Sequence, residues 1–154
     1  MKLRRVALAA TAAFLLTSSV IFAGAFTPGN IVIYRVGDGV AALGSTGTAV
    51  FLDEYTPSGV LVQSVAMPTT GASGRLVASG TATTEGFLTR SQDGRYLAVP
   101  GYDAAIGIAV TASTTVPRAI GRVDGNGAID VSTSYMGKKT TLRGFLRCFS
   151  WIKL

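Results

Sequence analysis

From Phe26 to Thr133 the chain runs in short apolar and mixed stretches rich in Val, Ile, Ala and Thr, and glycine or proline interrupts them every few positions. β-Branched side chains suit a pleated surface, and no stretch between the breakers is long enough for an amphipathic helix. The pattern predicts strands near Asn30–Val36, Thr48–Tyr55, Val60–Ala66, Arg75–Ser79, Gly86–Ser91, Tyr96–Pro100, Ala105–Thr111, Ala119–Val123 and Ala128–Ser132. The unbroken run Ile31-Val32-Ile33 predicts burial on both faces. Val60-Leu61-Val62-Gln63-Ser64-Val65 mixes apolar and polar positions and predicts a partly exposed strand, and Thr69–Gly74 reads as a loop.

Three segments share a strand-turn-strand shape. Val50-Phe51-Leu52 and Val60-Leu61-Val62 flank Thr56-Pro57-Ser58-Gly59. Phe87-Leu88-Thr89-Arg90 and Tyr96-Leu97-Ala98-Val99 flank Ser91-Gln92-Asp93-Gly94. Ala119–Val123 and Ala128–Val131 flank Asp124-Gly125-Asn126-Gly127. The turn glycines Gly59, Gly94 and Gly127 are 35 and 33 residues apart, a spacing that predicts stacked β-units.

Ser91-Gln92-Asp93-Gly94-Arg95-Tyr96-Leu97-Ala98-Val99 resembles the central hairpin of a β-propeller blade, where a Ser-x-Asp-Gly-x-Tyr-Leu-x-Val pattern is common in bacterial extracytoplasmic propellers. The resemblance implies a scaffold in which the Asp-Gly pair makes a tight turn and the aromatic-Leu pair packs between blades; it brings no catalytic residues with it. Pro57-Ser58-Gly59 and Gly125-Asn126-Gly127 depart from the Asp-Gly pattern, and the spacing is shorter than the ~40–45 residues of WD-type blades. The expected fold class is all-β, a propeller-like repeat of short antiparallel hairpins, partial at two to three blades, with a β-sandwich as the alternative. A ring of four blades needs roughly 160 residues. The partial array is therefore expected to be an N-terminal fragment with open edges that favour self-association.

The first 25 residues have the order of a secretory signal peptide. Lys2, Arg4 and Arg5 precede an apolar run from Val6 to Phe22, and Ala23-Gly24-Ala25 offers small residues for cleavage before Phe26. An uncleaved N-terminal anchor is the alternative. The organisation expected is thus a leader over 1–25, a β-repeat domain over 26–135 and a tail over 136–154, in a protein exported to the periplasm, the cell surface or beyond. This division changes the meaning of the +6 net charge. The leader holds three of the basic residues, and Lys138, Lys139, Arg143, Arg147 and Lys153 lie in the tail. The body keeps six arginines against all eight acids, a balance of −2, so a nucleic-acid partner has no electrostatic support there.

The chemistry is sparse. There is no histidine, which removes the commonest general base and every His-based zinc site, and Cys148 is the single cysteine. Asp124-Gly125-Asn126-Gly127-Ala128-Ile129-Asp130 places oxygens at positions 1, 3 and 7 of a calcium-type loop, but Ala128 and Tyr135 occupy ligand positions 5 and 12, and a hairpin turn explains it better. Asp53-Glu54 is an adjacent pair whose side chains point to opposite faces of a strand, which reads as a solvated strand end. Gly37-Asp38-Gly39 misses the dinucleotide-binding spacing. Arg95-Tyr96 and Tyr102-Asp103 fit either a binding surface or packing between repeats. No catalytic, cofactor-binding or metal-binding set emerges.

The tail Met136–Leu154 is basic and aromatic, and Leu142, Phe145, Leu146, Phe149 and Ile152 form a helical stripe. Three readings stand: a short helix on an anionic membrane surface, a helix covering a sheet edge, or a non-native ending. The expected function is a non-catalytic exported scaffold or binding module for a protein or carbohydrate ligand, with Thr69–Gly74 and Tyr102–Gly107 as contact loops. The alternatives are a propeller-type hydrolase or lyase with its active residues further along, and a membrane-surface protein acting through the tail.

Overall fold

The computed structural model describes residues 24–110 and 115–136, and those residues are all-β. Eight strands follow in chain order: β1 (Ile31–Val36), β2 (Gly47–Tyr55), β3 (Leu61–Ala66), β4 (Val77–Ser79), β5 (Thr89–Arg90), β6 (Tyr96–Tyr102), β7 (Arg118–Asp124) and β8 (Ile129–Tyr135). Every pairing is antiparallel. Two meanders organise them. In the first, β2 lies between β1 and β3; in the second, β5, β6, β7 and β8 pair in sequence. The short β4 carries the ladder from one to the other, pairing Gly47–Ala49 at the start of β2 and, through Val77, Tyr102 at the end of β6.

The two meanders meet across one hydrophobic cluster. Val50, Leu52 and Val65 come from the first; Val99, Ala119, Val123 and Val131 come from the second; Met67, Leu76 and Ala78 come from the connection and β4. Close approach depends on glycine. A Cβ on Gly101 would lie 2.8 Å from the Leu76 side chain and 2.8 Å from the Val77 carbonyl, and one on Gly121 would lie 2.8 Å from the Met67 methyl. A smaller cluster of Val77, Tyr102, Ala104 and Val110 closes the far end.

The three expected hairpin turns are present and share one device. Gly59, Gly94 and Gly127 all take left-handed φ, where a side chain is strained, and each donates its N–H to the residue three places before it. The side-chain oxygen of that first residue then accepts a later backbone N–H: Thr56 from Val60, Ser91 from Tyr96, and Asp124 from Ala128. The Gly59 turn joins β2 to β3, the Gly94 turn joins β5 to β6 and the Gly127 turn joins β7 to β8.

Other expectations are corrected too. Ala105–Thr111 is not a strand over its described part. Gly107, at positive φ, turns the chain there, Ile108 donates back to Ala105, and the turn grips Gly47 by hydrogen bonds in both directions. A Cβ on Gly47 would lie 2.9 Å from the Ala105 carbonyl, so the turn can sit here only because that position is glycine. Ile31 and Ile33 are 53% and 48% exposed rather than buried, because among the described residues β1 pairs only β2, and Ile31 and Ile33 lie on its outward face. The strand over Leu61–Ala66 is partly exposed, as expected. The leader through Ala23 and the tail from Gly137, with its helical stripe, lie outside the described residues. Among the described residues no helix is long and apolar enough to cross a membrane.

Candidate functional site

The acidic pair in β2 is where the sequence reading fails most plainly. Asp53 and Glu54 do point to opposite faces, but both are buried rather than solvated. Asp53 lies on the outer face of the first meander, between its neighbours in β1 and β3. Arg35 donates to it at 2.5 Å and Ser64 at 2.5 Å, and the Arg35 guanidinium lies 4.3 Å from the centre of the Phe51 ring. Burial alone would raise the Asp53 carboxyl, but the Arg35 and Ser64 bonds outweigh it and leave it below the ordinary carboxylate range. Glu54 is fully enclosed and accepts from the Thr27 backbone at 2.7 Å, the Asn30 amide at 2.6 Å and the Gln63 amide at 2.7 Å. Here again burial is the largest influence and acts upward, and the three donors more than offset it. Gln63 also holds Gly24 and Ala25. Glu54 therefore ties the segment leading into β1 onto β2 and β3.

A third polar group lies where the two meanders and the β4–β5 segment come together. Tyr102, on β6, donates its hydroxyl to Glu85 Oε1, and the Arg118 guanidinium lies 4.1 Å from the Tyr102 ring centre and 3.9 Å from the same carboxylate. Tyr34, on β1, donates to the Pro100 carbonyl at 3.0 Å. Gly86 brings the Glu85 segment against Tyr34; a Cβ there would lie 3.0 Å from the ring. Glu85 Oε2 is buried without a hydrogen-bond partner among the described residues, as is Ser79 Oγ. Burial, then the hydrogen bond and charge of Glu85, push the Tyr102 phenol up to about 12. Burial and the same carboxylate push Tyr34 higher still. Both phenols are neutral at physiological pH, so each is a hydrogen-bond donor there and not a base.

The remaining carboxylates are held locally. Arg75 donates to the buried Asp103 at 2.9 Å. Asp38 and Asp93 cap the turns that contain them. Asp124 accepts from Asn126 and Ala128, while Asp130 accepts from Ser132 and Arg122, so the two ends of the calcium-like segment do not converge. No group of three or more metal-binding side chains occurs among the described residues. Of the residues the sequence offers for surface contact, Arg95 lies over the Tyr96 ring, as does Arg122 from β7, and Tyr102 and Asp103 are buried.

Large exposed apolar side chains lie both on β1 and β3 and in loops. Thr70–Ser73 is exposed as expected, but of Tyr102–Gly107 only the tip at Ile106 and Gly107 is exposed. The sequence reading missed the adjoining loop 37–46. Val40 is 90% exposed and Leu43 about half, and Ile106 and Ile108 are about half exposed on the turn that is held to the end of this loop by the Thr46–Ala109 bridge and the Gly47 bonds. Two loops distant in the chain, joined at Thr46 and Gly47, thus each carry exposed aliphatic side chains. Comparison with protein-family models, with curated proteins and with solved structures finds no match to this chain.

Proposed function

We propose that this chain is an exported, non-catalytic β-scaffold that binds a protein or carbohydrate ligand through the paired loops 37–46 and 105–109. The carrying observation is the exposure of Val40, Leu43, Ile106 and Ile108 on loops fixed to a hydrogen-bonded frame. Exposed aliphatic residues on loops held by a hydrogen-bonded frame fit a contact surface. The buried carboxylates support the same reading, because arginine, amide or backbone donors engage Asp53, Glu54 and Asp103 as structural acceptors. The leader fits export.

On this reading the two meanders are successive units of a propeller-like repeat. The like-built turns at Gly59 and Gly127 support it, as does the four-stranded order of β5 to β8. The test is a Val40→Ser/Ile106→Ser double variant compared with the unaltered chain on a panel of immobilised glycans and on cell-surface protein extract. Both positions are exposed, so the variant keeps its fold by circular dichroism while losing at least tenfold in retention. A folded variant retained as well as the parent refutes the assignment of the loops.

A further inference from the structure

The segment that leads into β1 is a clasp between the two meanders. The Phe26 N–H donates to the Gly125 carbonyl, in the turn between β7 and β8, at 2.8 Å. The Phe26 side chain packs against the hydrophobic cluster that both meanders share. One residue further on, the Thr27 N–H donates to Glu54 Oε1 on β2 at 2.7 Å. Consecutive backbone nitrogens are less than about 4 Å apart, so the Phe26 nitrogen lies within roughly 7 Å of that carboxylate. On the other side stands Asp124, which precedes Gly125 and whose carboxylate accepts from Asn126 and Ala128 in the same turn. From β3 the segment meets the neutral Gln63, and the cluster beneath the Phe26 ring is apolar, with Val65 of β3, Val123 of β7 and Val131 of β8. The charged groups that face the Phe26 nitrogen are thus two carboxylates.

The Phe26 nitrogen belongs to the bond that removal of the leader is expected to cut. Hydrolysis of the Ala25–Phe26 amide consumes one water, ends the released leader in a carboxylate and leaves Phe26 with an α-ammonium group in place of its amide N–H. We propose that the Gly125 carbonyl is the receptor for this new ammonium group, so that processing between Ala25 and Phe26 tightens the clasp between the two meanders. A hydrogen bond from a charged donor is roughly twice as strong as one between neutral groups. The ammonium also gains the attraction of Glu54 and Asp124, which a neutral amide does not have. What processing removes is the exposed set of hydrogen bonds from Gly24 and Ala25 to the Gln63 side chain, and water takes their place. Gln63 keeps its own bond to Glu54. The inference rests on the leader in the function proposed above and not on the ligand-binding loops.

The test compares residues 26–154, which contain all eight strands, with a free and with an acetylated N-terminus. Acetylation restores an uncharged amide N–H at Phe26 and changes no residue, so both chains are expected to give the same circular dichroism spectrum. The free chain is expected to melt about 4 °C or more above the acetylated one at pH 6. An α-amino group ordinarily titrates at about 7.7–8.0, and the carbonyl and the two carboxylates favour its charged form in the folded chain. The advantage is therefore full below that ordinary value and is lost as pH rises through the higher folded value, between about pH 8 and pH 10. Equal melting temperatures at pH 6, or a difference unchanged between pH 6 and pH 10, overturn the receptor. In parallel the full chain is expressed with its leader in a secreting bacterial host, and the N-terminus of the exported product is read by mass spectrometry. Phe26 is the expected first residue. A product that begins elsewhere or keeps the leader overturns the inference at the processing step, a failure distinct from that of the receptor.

Discussion

Glu54→Gln isolates the contribution of the one carboxylate that is fully enclosed. The amide keeps the shape of the side chain and can still accept from Thr27 and Asn30 through its oxygen. Its nitrogen then faces the Gln63 amide nitrogen, donor against donor, where the carboxylate had accepted at 2.7 Å. In the chain that keeps Gly24 and Ala25, which is the one to measure, Gln63 is not free to invert, because its oxygen accepts from Gly24 and its nitrogen donates to Gly24 and Ala25. A hydrogen bond to a charged group contributes about 1.5–3 kcal/mol, and leaving its buried partner unsatisfied costs a similar amount. The expected loss is about 2–3 kcal/mol, which lowers the melting temperature of a domain this size by roughly 10–20 °C. Glu54→Ala also strands the Thr27 and Asn30 donors and costs about 3–5 kcal/mol. Urea unfolding followed by far-UV circular dichroism measures both. The pH dependence is the stricter check. The Glu54 carboxyl is held below its ordinary value of 4.5 in the folded chain, so its contribution is present above that value and lost as pH falls through the lower folded value. The stability gap between the parent and Glu54→Gln must therefore narrow below about pH 4.5. A variant within about 0.5 kcal/mol of the parent at neutral pH, or a gap unchanged between pH 7 and pH 3, refutes the reasoning.

Gly101→Ala should cost about 2–3 kcal/mol because the added methyl meets the Val77 carbonyl as well as Leu76, Gly121→Ala should cost less because its nearest neighbour is the flexible end of Met67, and Gly125→Ala, with open space around it, should be near neutral; equal melting temperatures for all three would contradict the packing account. Tyr102→Phe removes the hydroxyl that satisfies one oxygen of Glu85 and should cost about 1–2 kcal/mol in urea unfolding. The Tyr102 phenol is held up at about 12, so the parent should keep its stability up to pH 10 and lose it as pH rises from 10 towards 12, a loss shallower in the variant; two tyrosines fewer than expected titrating near pH 10 in the ultraviolet spectrum is the direct sign. The peptide 136–154 should bind anionic vesicles more tightly than its Arg143→Glu/Arg147→Glu form in a sedimentation assay, and an unaltered peptide that fails to bind ends the membrane reading of the tail.

What the sequence made legible was local, and what it hid was the consequence of pairing. Each hairpin turn could be read because glycine at positive φ and an oxygen-bearing residue three positions earlier act within one short segment. The chemistry of a turn does not say which strands it joins or how those strands pair: the Gly59 turn joins β2 to β3, the Gly94 turn β5 to β6 and the Gly127 turn β7 to β8. Asp53-Glu54 reads as a solvated end because burying two carboxylates is unfavourable unless donors surround them. Those donors are Arg35 and Ser64 on one face and Asn30, Gln63 and the Thr27 backbone on the other, and they reach β2 only once β1 and β3 have taken their register. Ile31-Val32-Ile33 misleads for the complementary reason. A run without polar residues is what a strand covered on both faces requires, but nothing in the run says whether a covering layer lies within the same chain. Ile31 and Ile33 are left about half exposed because β1 pairs only β2 among the described residues, and that follows from strand pairing, which periodicity alone does not reach.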